Sequence, residues 1–201
     1  MQQGSPEWFA ERCGRATASK FGDVLAVIKS GEAADRKNYK AQLVCERMTG
    51  VPAESFESAP MRWGTETEPF ARIAYEATTG NIVTEVGFIR HPTLMAGASP
   101  DGLIGEDGAV EIKCPNSATH IETILKGMPA KHNAQIQGQL WISGRKWADF
   151  VSYDPRLPER LQLYVQRVER DESFITNLSA EVEKFLAEVD SLIEQLERKS
   201  A

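Results

Sequence analysis

Hydrophobic positions along the chain change period partway through. Phe21, Val24, Leu25 and Ile28 step at helical spacing behind Thr17, which can cap a helix, and they predict a helix from 17 to 28. Beyond a Ser30-Gly31 loop, a second helix is expected near Asp35–Thr49, ended by Gly50. A third should cover about Met61–Thr79 and stop at Gly80, with Phe70, Ile73, Ala74 and Ala77 as its apolar face. The pattern then shortens. Ile82–Thr84, Val86–His91 and Leu94–Ala98 read as strands, as does Ala109–Cys114 between the turn Glu106-Asp107-Gly108 and Pro115. Helices near Ser117–Lys126 and Ala130–Ser143 follow, then strands Trp147–Tyr153 and Leu161–Val168. The last element is a long helix over about 172–198, whose Phe174, Leu178, Val182, Phe185, Val189, Leu192 and Leu196 form one stripe. That stripe needs cover, from the domain itself in the preferred reading or else from a partner. With no internal repeat and no low-complexity linker, one α/β domain over residues 1–201 is expected.

Composition narrows the class. Hydrophobic residues make up 41% and charged residues 26%, ordinary values for a globular protein and wrong for a disordered one. No apolar run is long enough to span a bilayer, and residues 1–6 do not read as a secretory signal, so no membrane partner and a cytoplasmic location are expected. Cys13, Cys45 and Cys114 form no CxxC pair, which argues against structural zinc or an iron–sulfur cluster. The net charge of −6 does not suggest a nucleic-acid partner. Residues 171–201 carry 8 acids and 3 bases, however, so most of the excess negative charge lies in the last helix. A locally basic surface elsewhere remains compatible with the total.

The chemistry centres on Ser99-Pro100-Asp101-Gly102 and, shortly after, Glu111-Ile112-Lys113. Alternation along a strand puts Glu111 and Lys113 on one face and turns Val110 and Ile112 to the other. An acid and a base inside an otherwise apolar strand break the local rule, and such breaks mark functional positions. Two carboxylates, Asp101 and Glu111, with the backbone carbonyl of Ile112, suit Mg²⁺, a hard cation that keeps several waters. Such an ion polarises a phosphoryl oxygen and activates water. Lys113 can orient or deprotonate that water, or neutralise charge in the transition state. Glu68 lies off the expected apolar face of its helix and is a third carboxylate for a second ion; otherwise it is a surface partner of Arg72. Gln135 and Gln139 share one stripe of their helix, and Gln135 can bond a water or a phosphate.

The order and spacing match the PD-(D/E)xK nuclease pattern. Through most of its length the chain resembles the lambda-exonuclease and YqaJ-type viral recombinase family. The matching segments are Arg12 with Thr17-Ala18-Ser19, Trp63-Gly64 with Glu68, SPDG at 99–102, Glu111-Ile112-Lys113-Cys114-Pro115, Gln135-Ile136-Gln137 and Tyr153-Asp154-Pro155-Arg156. The resemblance implies a restriction-endonuclease-like α/β fold, a central mixed sheet flanked by helices. It implies a Mg²⁺-dependent, processive 5′→3′ exonuclease acting on double-stranded DNA ends and leaving 3′ overhangs. Mn²⁺ is a possible substitute, and two ions per site are expected. By the same resemblance Asp101, Glu111 and Glu68 are metal ligands, and Lys113 and Gln135 are active-site residues. Arg12 and Ser19 hold the 5′ phosphate, and Lys29 stands near a further phosphate contact. Met61 falls where relatives place an apolar wedge at the duplex end, or else packs in the core. The alternative for Arg12 is a surface ion pair with Glu7 or Glu11. A homotrimeric ring and a single-strand annealing protein complete the expectation.

Overall fold

The computed structural model describes residues 2–53 and 58–200; Met1 and Ala201, the ends of the expected domain, lie outside the described residues. Helix α1 (Pro6–Arg12) is capped by the Ser5 hydroxyl, with proline at its start where a missing N–H costs nothing. Strand β1 (Ala16–Thr17) and a 3-10 turn at Ala18–Lys20 lead to the four-residue α2 (Phe21–Val24). The single helix expected from Thr17 to Ile28 therefore does not form. Thr17 lies in a strand and makes no side-chain cap, and Val27 is 90% exposed. The adjacent β-branched pair Val27-Ile28 and the Ser30-Gly31 step resist continuation of the helix.

Helices α3 (Ala34–Thr49) and α4 (Ala59–Thr79) both end as expected, on Gly50 and Gly80 in the left-handed conformation. The inward face of α4 is not the expected one. Thr67, Ala71 and Tyr75, four apart, are buried, whereas Phe70 and Ile73 are exposed. The stripe that meets the sheet is built from small residues and one tyrosine, so hydrophobicity alone selects the wrong side.

Among the described residues eight strands form two sheets. Strands β3 (Ile89–Arg90) and β4 (Ala96–Ala98) are shorter than expected, and with β1 they make a small sheet in the order β1-β4-β3. The main sheet runs β2 (Val83–Thr84), β5 (Gly102–Ile104), β6 (Gly108–Lys113), β7 (Trp147–Tyr153), β8 (Leu163–Glu169). Only β6 and β7 pair in parallel; the remaining neighbours are antiparallel. The mixed α/β architecture expected from the sequence is thus present. α5 (Ser117–Lys126) and α6 (Asn133–Ser143, after a 3-10 turn at 130–132) fill the β6–β7 crossover, and α7 (Glu172–Ser200) closes the chain. No described helix is long and apolar enough to cross a membrane.

The sheet separates two layers. Val110, Ile112, Val151 and Tyr153 pack toward Ala71 and Tyr75 of α4, while Ala109, Ala148 and Phe150 on the opposite face pack toward Ile136 and Leu140 of α6. A third cluster joins Phe21, Leu43, Leu178, Val182, Phe185 and Val189, so the stripe of α7 is covered within the chain, although Leu196 at its end stays exposed. Each such side chain contributes roughly 1.5–3 kcal/mol of burial. Gly138 lets α6 approach closely, because a Cβ there would lie 2.4 Å from the ring of Phe21. That contact lets α6 close onto α2, and α6 carries Gln135 and Gln139.

Candidate active site

Strand β5 begins at Gly102, one residue after Asp101, while its neighbour β6 runs on to Lys113. The ladder continues for one more step by way of a side chain. The Asp101 N–H donates to the Val110 carbonyl at 3.1 Å, and the Ile112 N–H donates to Asp101 Oδ2 at 2.6 Å. Strand alternation turns the Ile112 carbonyl to the same edge as that carboxylate. The geometry follows from Pro100-Asp101-Gly102, which delays the start of the strand and leaves a short acceptor side chain to replace the missing backbone.

Glu111 points to the α6 face and is 1% exposed. Gln135 Nε2 donates to its Oε1 at 2.5 Å and Gln139 Nε2 to its Oε2 at 2.5 Å. Lys113, on the same face as expected, closes an ion pair onto Oε1. A buried carboxylate survives only with partners of this kind. Glu68 of α4 is within electrostatic reach of Glu111, Asp101 and Lys113. Arg72, its alternative partner, instead pairs with Glu85 at 2.8 Å.

The charges strain against one another. Burial, then Glu111 and Glu68, push Asp101 well above the ordinary carboxylate range. Burial and Glu111 raise Glu68 as well. For Lys113 burial favours the neutral amine, but Glu111 and Asp101 outweigh it and hold the ammonium. Burial and the acids push the Cys114 thiol up to about 12, and burial followed by Lys113 takes His132 down to about 4. Excess negative charge at one strand end calls for a cation. Among the described residues no three or more His, Cys, Asp or Glu side chains stand as a ready-made metal cage. The residues that could hold one are Asp101 and Glu111 with the Ile112 carbonyl beside them, and Glu68 close by. A cavity of about 480 Å³ opens here, lined by Glu68, Asp101, Lys113, His132 and Met61. Met61 is 54% exposed, so the core-packing alternative for it is excluded.

A second, smaller cavity of about 170 Å³ is lined by Arg12, Arg15, Thr17, Ser19, Lys20 and Glu46, among others. Arg12 forms no ion pair with Glu7 or Glu11. Glu11 bonds Arg90 instead. The guanidinium of Arg12 stacks on Trp8 with its carbon 4.0 Å from the ring centroid, and it has no hydrogen-bond or ion-pair partner among the described residues. Trp8 Nε1 donates to Ser99 Oγ at 2.9 Å, tying this cavity to the segment that carries Asp101. Ser19 Oγ lies 3.2 Å from Thr17 Oγ1. Lys29 is not brought here; it stands exposed in the loop after α2 and lines neither cavity. A larger cavity, about 610 Å³ between that loop, α3 and α7, lies apart from both, and its Arg36 and Lys40 are each already paired with Glu188.

Two contributors lie outside the set expected from the sequence. Gln139 was visible as a neighbour of Gln135 one turn on, and Trp8 precedes Arg12 by four residues in α1, the spacing at which helical side chains meet.

The family model described as "YqaJ-like viral recombinase domain" matches residues 7–146. The chain is similar to two crystal structures of one protein, described as the alkaline exonuclease LHK-Exo from Laribacter hongkongensis and as LHK-Exo in complex with dAMP. Identity is 50% in both, covering 98% of each chain, with TM-scores of 0.90 and 0.91. A phage-related exonuclease from Haemophilus somnus 129PT shares the fold at 15% identity and TM-score 0.71, over 93% of this chain and 96% of that one. None of the curated proteins compared gives a match.

Proposed function

This chain belongs to the YqaJ-like viral recombinase family, and from that premise we propose that it is a Mg²⁺-dependent exonuclease that digests double-stranded DNA from a 5′ end and leaves a 3′ overhang. Its fold is the restriction-endonuclease-like one of its exonuclease neighbours. The observation that carries the reading is the convergence of Asp101, Glu111 and Lys113 at one strand end, with Glu68 beside them. A relative half-identical in sequence binds dAMP, the kind of mononucleotide such a reaction releases.

The residues fit the ion. Asp101, Glu111 and the Ile112 carbonyl offer hard oxygens, few enough for a cation that keeps its waters. Glu68 is placed for a second ion. When bound, Mg²⁺ supplies Lewis-acid polarisation of the phosphoryl oxygen and a more acidic water. Lys113 contributes an ammonium fixed by Glu111, placed to stabilise charge that builds on the phosphate rather than to withdraw a proton. Gln135 orients Glu111. Arg12, with an unspent guanidinium on the Trp8 ring, takes the 5′ phosphate together with Ser19. Met61, exposed on the rim of the cavity, is positioned to press against the last base pair. A trimeric ring and an annealing protein that receives the overhang belong to the same proposal through the family, as does the tolerance of Mn²⁺.

The test is digestion of linear duplexes labelled at the 5′ or the 3′ end of one strand, with MgCl₂ or with chelator, beside covalently closed circles. Expected are early release of 5′ label as mononucleotide, intact circles and no products in chelator. Cut circles would identify an endonuclease, and products in chelator would remove the metal from the mechanism.

A further inference from the structure

Gln139 follows Gln135 by one turn of α6 and is 1% exposed. It and Gln135 grip opposite oxygens of Glu111 from consecutive turns, which fixes the plane of the carboxylate. A carboxylate oxygen has two lone pairs. Gln135 and Lys113 fill both on Oε1, while Gln139 leaves one open on Oε2. Gln139 Oε1, meanwhile, is buried without a hydrogen-bond partner. Only the amide nitrogen can donate to a carboxylate, so Glu111 dictates this orientation and strands the oxygen. A stranded buried amide oxygen is unfavourable, and a methionine would fill the same space without it. Gln139 therefore serves Glu111 rather than the packing around it.

We propose that Gln139 is a positioning residue of the cation site: with Gln135 it locks Glu111 so that one oxygen is offered in one direction, and this rigidity selects Mg²⁺ over Ca²⁺. The proposal rests on the metal reading given above. Mg²⁺ demands near-ideal octahedral geometry, whereas Ca²⁺ accepts variable coordination and carboxylates bound through one or both oxygens. A carboxylate freed to pivot loses more for the strict cation than for the tolerant one.

The full chain, free of nucleic acid, is titrated calorimetrically with MgCl₂ and separately with CaCl₂, beside Gln139→Met and Gln139→Asn. Both variants are expected to bind Mg²⁺ about tenfold more weakly, the usual effect of removing a group that orients a metal ligand, and Ca²⁺ by less than about threefold. Circular dichroism in chelator checks that each is folded; if the methionine variant is not, the asparagine variant, too short to reach Glu111, carries the same expectation. An unchanged ratio of the two affinities, whether through parallel loss or no loss, overturns the role of Gln139. A natural chain that shows no saturable Mg²⁺ binding overturns the metal reading itself, so the two failures are distinct.

Discussion

Asp101 stands where folding works against its charge. Its pKa is raised by burial and by two neighbouring acids, against the weaker pull of Lys113 and the Ile112 N–H. For an acid raised in the folded state, stability falls as pH rises from the unfolded value through the folded one, and above that the full penalty is carried. Asp101→Asn removes the charge and keeps an oxygen able to accept from Ile112, now at 2.6 Å. In chelator at pH 7 the variant should be more stable by about 1–2 kcal/mol, the usual return from relieving a functional position. For a chain of this length that is a rise in Tm of roughly 2–8 °C. In MgCl₂ the ranking should reverse. At a concentration about 100 times Kd the natural chain gains about 2.7 kcal/mol, and the variant, short of a ligand, almost none. Calorimetric melts of both proteins in chelator and in MgCl₂ read the crossing directly, with digestion of linear duplex measured alongside and expected to vanish in the variant. A variant less stable in chelator would refute the electrostatics argued for the strand end. Equal stabilisation of both proteins by MgCl₂ would refute Asp101 as a ligand.

Arg12→Ala should slow successive digestion of 5′-phosphorylated ends about 10–100-fold, the loss of one charged hydrogen-bonding group at about 1.5–3 kcal/mol, and should affect 5′-hydroxyl ends far less. A variant that treats both ends as the natural chain does would dismiss the phosphate socket. Hydrogen bonding to Arg36, then to Lys40, lowers Glu188 from 4.5 to about 2, so its contribution is complete above about pH 4.5 and disappears as pH falls toward 2. Because the groups are partly exposed, that contribution is only about 1 kcal/mol. Melts of Glu188→Gln against the natural chain should differ at neutral pH and converge in acid; a gap constant with pH would contradict the linkage.

The sequence made some elements plain and hid others, for physical reasons. Strand β6 was legible because alternation over Ala109–Lys113 fixes which side chains share a face, and the pairing with β7 keeps that register from Gly108 to Lys113. The stripe of α7 was legible because seven large residues at steps of three and four admit one buried side. The face of α4 was not. A hydrophobic count follows Phe70 and Ile73, whereas the sheet is met by Thr67, Ala71 and Tyr75, and Tyr75 is buried through a 2.6 Å bond from its hydroxyl to Asp149. Burial that depends on a polar contact leaves little trace in periodicity. Strands β1 and β5, of two and three residues, are shorter than any window in which alternation can be counted.

The site shows the same division between type and arrangement. Asp101, Glu111 and Lys113 could be singled out because charge in an apolar strand is anomalous. That Asp101 extends the ladder by bonding Ile112 could not, since it depends on where β5 begins. Nor does a sequence distinguish a glutamine on a solvated helix face from one 1% exposed whose amide is spent on a buried carboxylate. The difference lies in how α6 packs against its neighbours, which includes the close approach of Gly138 to Phe21. The helix that makes this approach also brings two amides within 2.5 Å of Glu111. A larger side chain in place of Gly138 would clash with Phe21, and the shift of α6 needed to relieve the clash would disturb the grip on the carboxylate without touching any charged residue. The chemistry proposed for the strand end therefore depends on an apolar contact on the far side of the same helix.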